Sequence, residues 1–287
     1  MKWQTPVTFP PSRIPLTPDD RVLVVGSCFA DEIGQRMRRA GFNACVNPFG
    51  TLYNPLSVAG ALSRLCDGRP FTESECVEMG AGAGRICSFS HHTSFARETS
   101  EAFLSVANEA LEDAAAFWQS CNKVCITLGT VFCWLHDGAV AANCLKRPAS
   151  EFERVEMTLE QVTAVLRSIV VSSPDRSFIF TVSPIRHLGD GAHLNQLSKS
   201  TLLLAVDALL RDPLVGRRCE YFPAYEILLD ELRDYRFYAE DMMHPSAQAA
   251  DYIWERFKAF AVPAEFADRV ARAEIEWKAA QHRPLRP

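Results

Sequence analysis

The chain has no apolar run long enough to span a bilayer. Its first twenty residues, rich in proline and acid, contain no apolar segment of the kind that opens a secretory leader. A membrane partner is therefore not expected, and a cytoplasmic location is. Basic charge is also short, since 30 Lys and Arg against 35 Asp and Glu give a formal net charge of -5. A nucleic-acid binder carries the opposite balance. Ten cysteines are present, but they lack paired spacing, no C-x-x-C occurs, and Cys121 and Cys125 have no histidines near them. Neither a disulfide framework nor a metal site is expected. The run Gly80-Ala81-Gly82-Ala83-Gly84 has arginine at position 85 and does not lead from a strand into a helix. It is a flexible turn, and no cofactor is expected from it. There is no internal repeat and no linker that splits the core.

What remains is an ordinary apolar content of 48% over 287 residues, ample for a full core. Val22 to Val25 form an apolar run bounded by Arg21 and Gly26, the pattern of a strand buried on both faces of a parallel sheet. Further strands are expected at Asn43 to Val46, Lys123 to Gly129, Ser177 to Val182 and Tyr221 to Phe222. Amphipathic helices are expected between them and after them, including one at Glu98 to Gln119 and one introduced by the Thr158 and Gln161 capping box. The pattern predicts a three-layer α/β/α sandwich with a mainly parallel sheet. Asp137-Gly138 predicts a two-residue hairpin turn inserted at about 131–145, too short to be a parallel crossover, which walls or covers the site. The division expected is an extended arm over 1–20, an α/β domain over 21–260 and a helical extension over 261–287. Arg36, Arg38 and Arg39 are expected on the solvent side of the first helix.

Two stretches carry chemistry. Gly26-Ser27-Cys28 ends the first strand, and acids follow it in what reads as the first turn of a helix. A nucleophile there would sit at the carboxyl edge of the sheet beside a helix N-terminus, where negative charge is stabilised. The plainer reading is a tight turn with Ser27 capping the helix. Near the other end, Asp241 stands three residues before His244, a spacing that lets a carboxylate orient an imidazole whose other nitrogen serves as base. Of the adjacent His91 and His92, at most one can face a site.

In this order the two stretches resemble the SGNH, or GDSL, hydrolase superfamily. The words GSCFA at Gly26 to Ala30, NPFGTLYNP at Asn47 to Pro55 and TVSPIRH at Thr181 to His187 narrow the resemblance to the GSCFA family. The resemblance implies a flavodoxin-like fold and an esterase or O-acyltransferase acting on a small-molecule or carbohydrate ester, with Ser27, His244 and Asp241 as triad. Hydrolysis and acyl transfer share the acyl-enzyme and differ only in acceptor. The amides of Ser27 and Gly50 are the expected oxyanion donors. Thr130, Val131 and Phe132 follow Gly129 where the superfamily carries an asparagine, so Asn54 and Asn143 are the candidates for the missing donor. Arg186 and His187 are expected to contact substrate. Cys28 is expected to turn into the sheet–helix interface, and a thiol enzyme using Cys28 is the alternative chemistry. A non-catalytic binding module on the same fold is the other reading.

Overall fold

The apolar runs of the sequence become the strands of a parallel sheet in the computed structural model, which describes residues 4–281. In chain order the strands are β1 (Arg21–Gly26), β2 (Asn43–Val46), β3 (Val77–Glu78), β4 (Ile86–Cys87), β5 (Lys123–Leu128), β6 (Phe132–His136), β7 (Ala139–Ala141), β8 (Glu153–Glu156), β9 (Ser177–Val182) and β10 (Cys219–Tyr221). The helices are α1 (Cys28–Arg39), α2 (Pro55–Asp67), α3 (Ser100–Ser120), α4 (Leu159–Val171), α5 (Gly191–Arg211), the single turn α6 (Ala224–Glu226), α7 (Ala247–Ala261) and α8 (Ala267–Gln281).

Five strands make the central sheet in the order β10-β9-β5-β1-β2, all parallel. Counted among themselves in chain order they run 2-1-3-4-5, the doubly wound order whose chain direction reverses between β1 and β5. Side chains alternate across β1: Leu23 and Val25 pack with Phe103 of α3, Leu166 of α4 and Val206 of α5. Val22 and Val24 pack with Ile33 of α1, Trp254 of α7 and Val270 of α8. The protein is thus a three-layer α/β/α sandwich. Each fully buried Val or Leu in these faces contributes about 1.5–3 kcal/mol against leaving it exposed.

Several details differ from the sequence reading. The expected hairpin, turned by Asp137 (φ 49°) and Gly138 (φ 78°), acquires a third strand when β8 pairs antiparallel with β6. Charged β8 was illegible because only one of its four residues is even partly covered on its own account. Helix α5 begins at Gly191, directly after a 3₁₀ turn over Leu188–Asp190. After β10 the chain passes from α6 into a π-helical turn, Ile227–Glu231. Arg36 is buried and not on the solvent side, with Nη2 2.7 Å from Asp251 Oδ1 and Nη1 2.6 Å from Glu32 Oε2. It fastens α1 to α7. Residues 4–20 run without regular structure over α7, held where Ser12 N and Leu16 N donate to the carbonyls of Phe260 and Ala261. The expected arm and extension also include residues 1–3 and 282–287, which lie outside the described residues. No helix among the described residues is long and apolar enough to cross a membrane.

Gly26 is where the sheet allows the site to form. At φ +138° an added Cβ would stand 2.1 Å from Thr127 O on the neighbouring strand. Gly26→Ala is expected to cost roughly 2–6 kcal/mol, the sum of backbone strain and overpacking. Urea unfolding of the variant measures it.

Candidate active site

The turn after β1 is fixed by polar contacts before any ligand is considered. Ser27 is 0% exposed; its amide donates to Thr127 O (3.1 Å) and its Oγ accepts from Phe29 N (3.3 Å) as the N-cap of α1. The same Oγ donates to Ser183 Oγ, 3.0 Å away at the end of β9. Asn47 locks the turn from the other side, accepting from Gly26 N at Oδ1 (2.8 Å) and donating from Nδ2 to Asp31 Oδ1 (2.7 Å). With Ser27 consumed as the cap, the first helical residue, Cys28, is the one whose side chain meets the cavity. Its amide is one of the helix-start donors with no backbone acceptor.

Cys28 Sγ lies 3.3 Å from His244 Nε2, and His244 Nδ1 lies 2.5 Å from Asp241 Oδ2. The other oxygen of Asp241 accepts from Met243 N (2.9 Å) and His244 N (3.0 Å). Those amide bonds, with the imidazole bond added, hold the carboxyl down at about 2. It is therefore a carboxylate throughout the neutral range, and it orients the ring through Nδ1. The loop can fold so tightly because Met242 takes a left-handed φ of 59° and Ala239 N donates to His244 O (2.8 Å).

The expected pair of Ser27 with His244 is thus replaced by Cys28 with His244. Cys28 is half-buried, packed against the edge of the core between the sheet and α1 yet lining the cavity, because the cap hydrogen bond turns the preceding side chain inward and leaves the next one at the opening. Burial pushes the Cys28 thiol up, while its own amide and the Tyr53 hydroxyl pull it down.

The cavity beside this relay has a volume of about 400 Å³ and opens at the carboxyl ends of β1, β5 and β9. Asn54 and His187 line it as expected, as does Arg186. Asn54 caps α2, its Oδ1 accepting from Ser57 N (2.8 Å), and its Nδ2 donates to no protein group among the described residues. His187 rests edge-on to Tyr53 and is held down at about 4 by burial, then by the nearby Lys199. Arg186 grips the Asp241–His244 loop: its amide donates to Met243 O (3.0 Å) and its Nη1 to Met242 O (3.1 Å). Phe132 and Trp134 of β6 and Arg154 of β8 form the outer wall, with Arg154 held 2.5 Å from Asp190.

Two expected oxyanion donors are not there. The Ser27 amide is bonded to Thr127, and Gly50, at φ 89°, turns its amide to Asn47 O (2.8 Å) with its Cα against His92. Asn143 lies off the cavity, its Oδ1 accepting from Leu145 N (2.9 Å) to support the hairpin base. His91 is buried among Phe49, Phe71, Phe95 and Phe103, and neither it nor His92 lines the cavity. Sequence reading also missed Lys199. It is 1% exposed, and its Nζ donates to Gly129 O (2.7 Å) and Ser183 O (2.8 Å), tying the ends of β5 and β9 together. The signal was present, since Lys199 shares a helical stripe with Leu202, Val206 and Leu209.

The fold and site define a doubly wound α/β protein with a cysteine–histidine–aspartate relay at the point where the sheet order reverses. The chain belongs to the GSCFA family, whose model matches residues 21–257. No curated protein matches the chain, and no solved structure does.

Burial pushes Lys199 from 10.5 down to about 7. Between those values the unfolded chain keeps a proton that the native state has released, so this group makes stability rise with pH across that window. In Lys199→Met that part of the rise is expected to vanish, as read from urea midpoints at pH 7 and pH 10.

Proposed function

We propose that the protein is a thiol-dependent acyl hydrolase or acyltransferase, with Cys28 as nucleophile, His244 as general base and acid, and Asp241 as the group that orients and charges the imidazole. The observation that carries this reading is the 3.3 Å contact of Cys28 Sγ with an imidazole already bound to a carboxylate. The sequence-level resemblance to SGNH hydrolases points to the same reaction class; the nucleophile differs.

In the mechanism, Sγ attacks the acyl carbonyl of an ester as its proton passes to His244 Nε2. The bond to the leaving oxygen breaks, and that oxygen takes the proton from Nε2. A water, or the hydroxyl of a small molecule or carbohydrate, then attacks the thioester with Nε2 as base, and the thiol is regenerated. Negative charge on the carbonyl oxygen is met by the Cys28 amide at the N-terminus of α1 and by Asn54 Nδ2. Burial pushes the Cys28 thiol up, and His244 takes its proton during attack. Such a nucleophile works in a reducing compartment, in keeping with the cytoplasmic location expected from the sequence.

Kinetics of activated aryl esters test the reading. Cys28→Ala is expected to lower kcat by about 10⁴-fold or more, and iodoacetamide to inactivate the wild type through Cys28. Ser27→Ala is expected to keep turnover, lowered by about tenfold to a hundredfold as the turn that presents Cys28 loosens, while losing about 1–3 kcal/mol of stability with the helix cap and the buried bond to Ser183. The reverse pattern would return the chemistry to Ser27. Separately, Asn54→Ala is expected to lower kcat by about 10²–10³ with little change in KM, the signature of a donor used only in the transition state.

A further inference from the structure

Behind Arg186 lies a second cavity of about 340 Å³, which shares Arg186 and Leu188 with the cavity that holds Cys28. Its polar groups are mostly donors. Asn195, at 6% exposure, spends its Oδ1 on His187 N (2.9 Å), and its Nδ2 meets no protein acceptor among the described residues. Gln196, exposed at the rim, also has its oxygen occupied, Oε1 accepting from the Tyr225 hydroxyl. Arg186 has five N–H donors and gives one to Met242 O, with its guanidinium carbon 5.3 Å from the centre of the Tyr238 ring. No carboxylate is within ion-pair reach of it among the described residues. Arg233 adds a second cation, 3.8 Å from exposed Asp230. The one acid on the wall, Asp234, is turned away: its Oδ1 accepts from Arg236 N (2.9 Å) and its Oδ2 lies 3.7 Å from Arg236 Nε.

Unpaired donors on an aromatic wall select an oxyanion carried on an apolar or aromatic stem. We infer that this second cavity is a subsite for the anionic end, carboxylate or phosphate, of the substrate whose acyl carbon is attacked at Cys28. The inference rests on the thiol reading above only for its link to catalysis, because Arg186 is the shared wall. A neutral substrate would leave Arg186 and the Asn195 amide unsatisfied once the cavity is filled, and buried unpaired donors are costly.

Calorimetric titration of the wild-type protein with phenyl phosphate, phenylacetate and neutral benzamide tests binding without turnover. At least one anion is expected to bind tenfold or more tightly than benzamide, and the tighter of the two identifies phosphate or carboxylate. Asn195→Asp keeps the acceptor for His187 N but puts an anion in the cavity, so binding should fall at least tenfold. Arg233→Gln should weaken binding severalfold and serves if the first variant does not fold. Equal affinity for benzamide, or anion binding undiminished in both variants, would overturn the assignment. The link to catalysis is read from two aryl esters, 4-nitrophenyl hydrogen glutarate and 4-nitrophenyl valerate. A preference for the charged ester of at least tenfold in kcat/KM, lost in Asn195→Asp, is expected. Anion binding with no such preference would overturn the subsite's role in the substrate, whereas loss of turnover for both esters in Ser27→Ala but not in Cys28→Ala would overturn the nucleophile alone.

Discussion

The hydrogen bond between Ser27 Oγ and Ser183 Oγ, 3.0 Å long and shut away from solvent, is the contact on which the site depends. It joins the residue that follows β1 to the residue that follows β9, across the intervening β5. One hydroxyl therefore caps α1 and spans the sheet edge at once, and it faces Ser183 instead of the cavity. Cys28, the first helical residue, is the one that lines the cavity. Lys199 repeats the device a layer deeper, gathering the carbonyls of Gly129 and Ser183 under the cavity floor. Both carbonyls are satisfied by its N–H donors, and burial pushes the amine down to about 7, which lowers the cost of holding it without a counter-ion.

The second half of the site is held by short-range geometry. Asp241 to His244 is a self-contained loop in which one carboxylate accepts from two amides and an imidazole. Alone it would have no fixed place relative to Cys28. Arg186 supplies that place, because it leaves β9 in the same segment as Ser183 and binds the loop's carbonyls through both its amide and its guanidinium. Cys28 and His244 are thus referred to the same strand end through two neighbouring residues. The distance between them is set by β9 and its loop as much as by β1.

The sheet and most helices were legible in the sequence because their signals are local. Val22 to Val25 can only be a buried strand, Thr158 with Gln161 can only start a helix, and Asp137-Gly138 can only be a tight turn. The Asp241 and His244 pair was legible for the same reason, as both partners lie within four residues. Ser27 against Cys28 was not, since the choice depends on Ser183, 156 residues away. Gly50 was misjudged because an amide's partner cannot be read from its neighbours, and Asn47 O holds it; Asn143 was misjudged because the hairpin base carries it away from the cavity. Tyr53 and Arg186 acquire their roles only when loops from four strand ends meet.

In the proposed mechanism the acyl group is carried on sulfur. The test is to react the protein with 4-nitrophenyl acetate, quench with acid, map the acetylated peptide by mass spectrometry and treat it with neutral hydroxylamine, which cleaves thioesters and spares oxyesters. One acetyl group is expected on the peptide containing residues 27 and 28, removed by neutral hydroxylamine and absent from Cys28→Ala. An acetyl group that resists hydroxylamine, persists in Cys28→Ala and disappears in Ser27→Ala would contradict that mechanism.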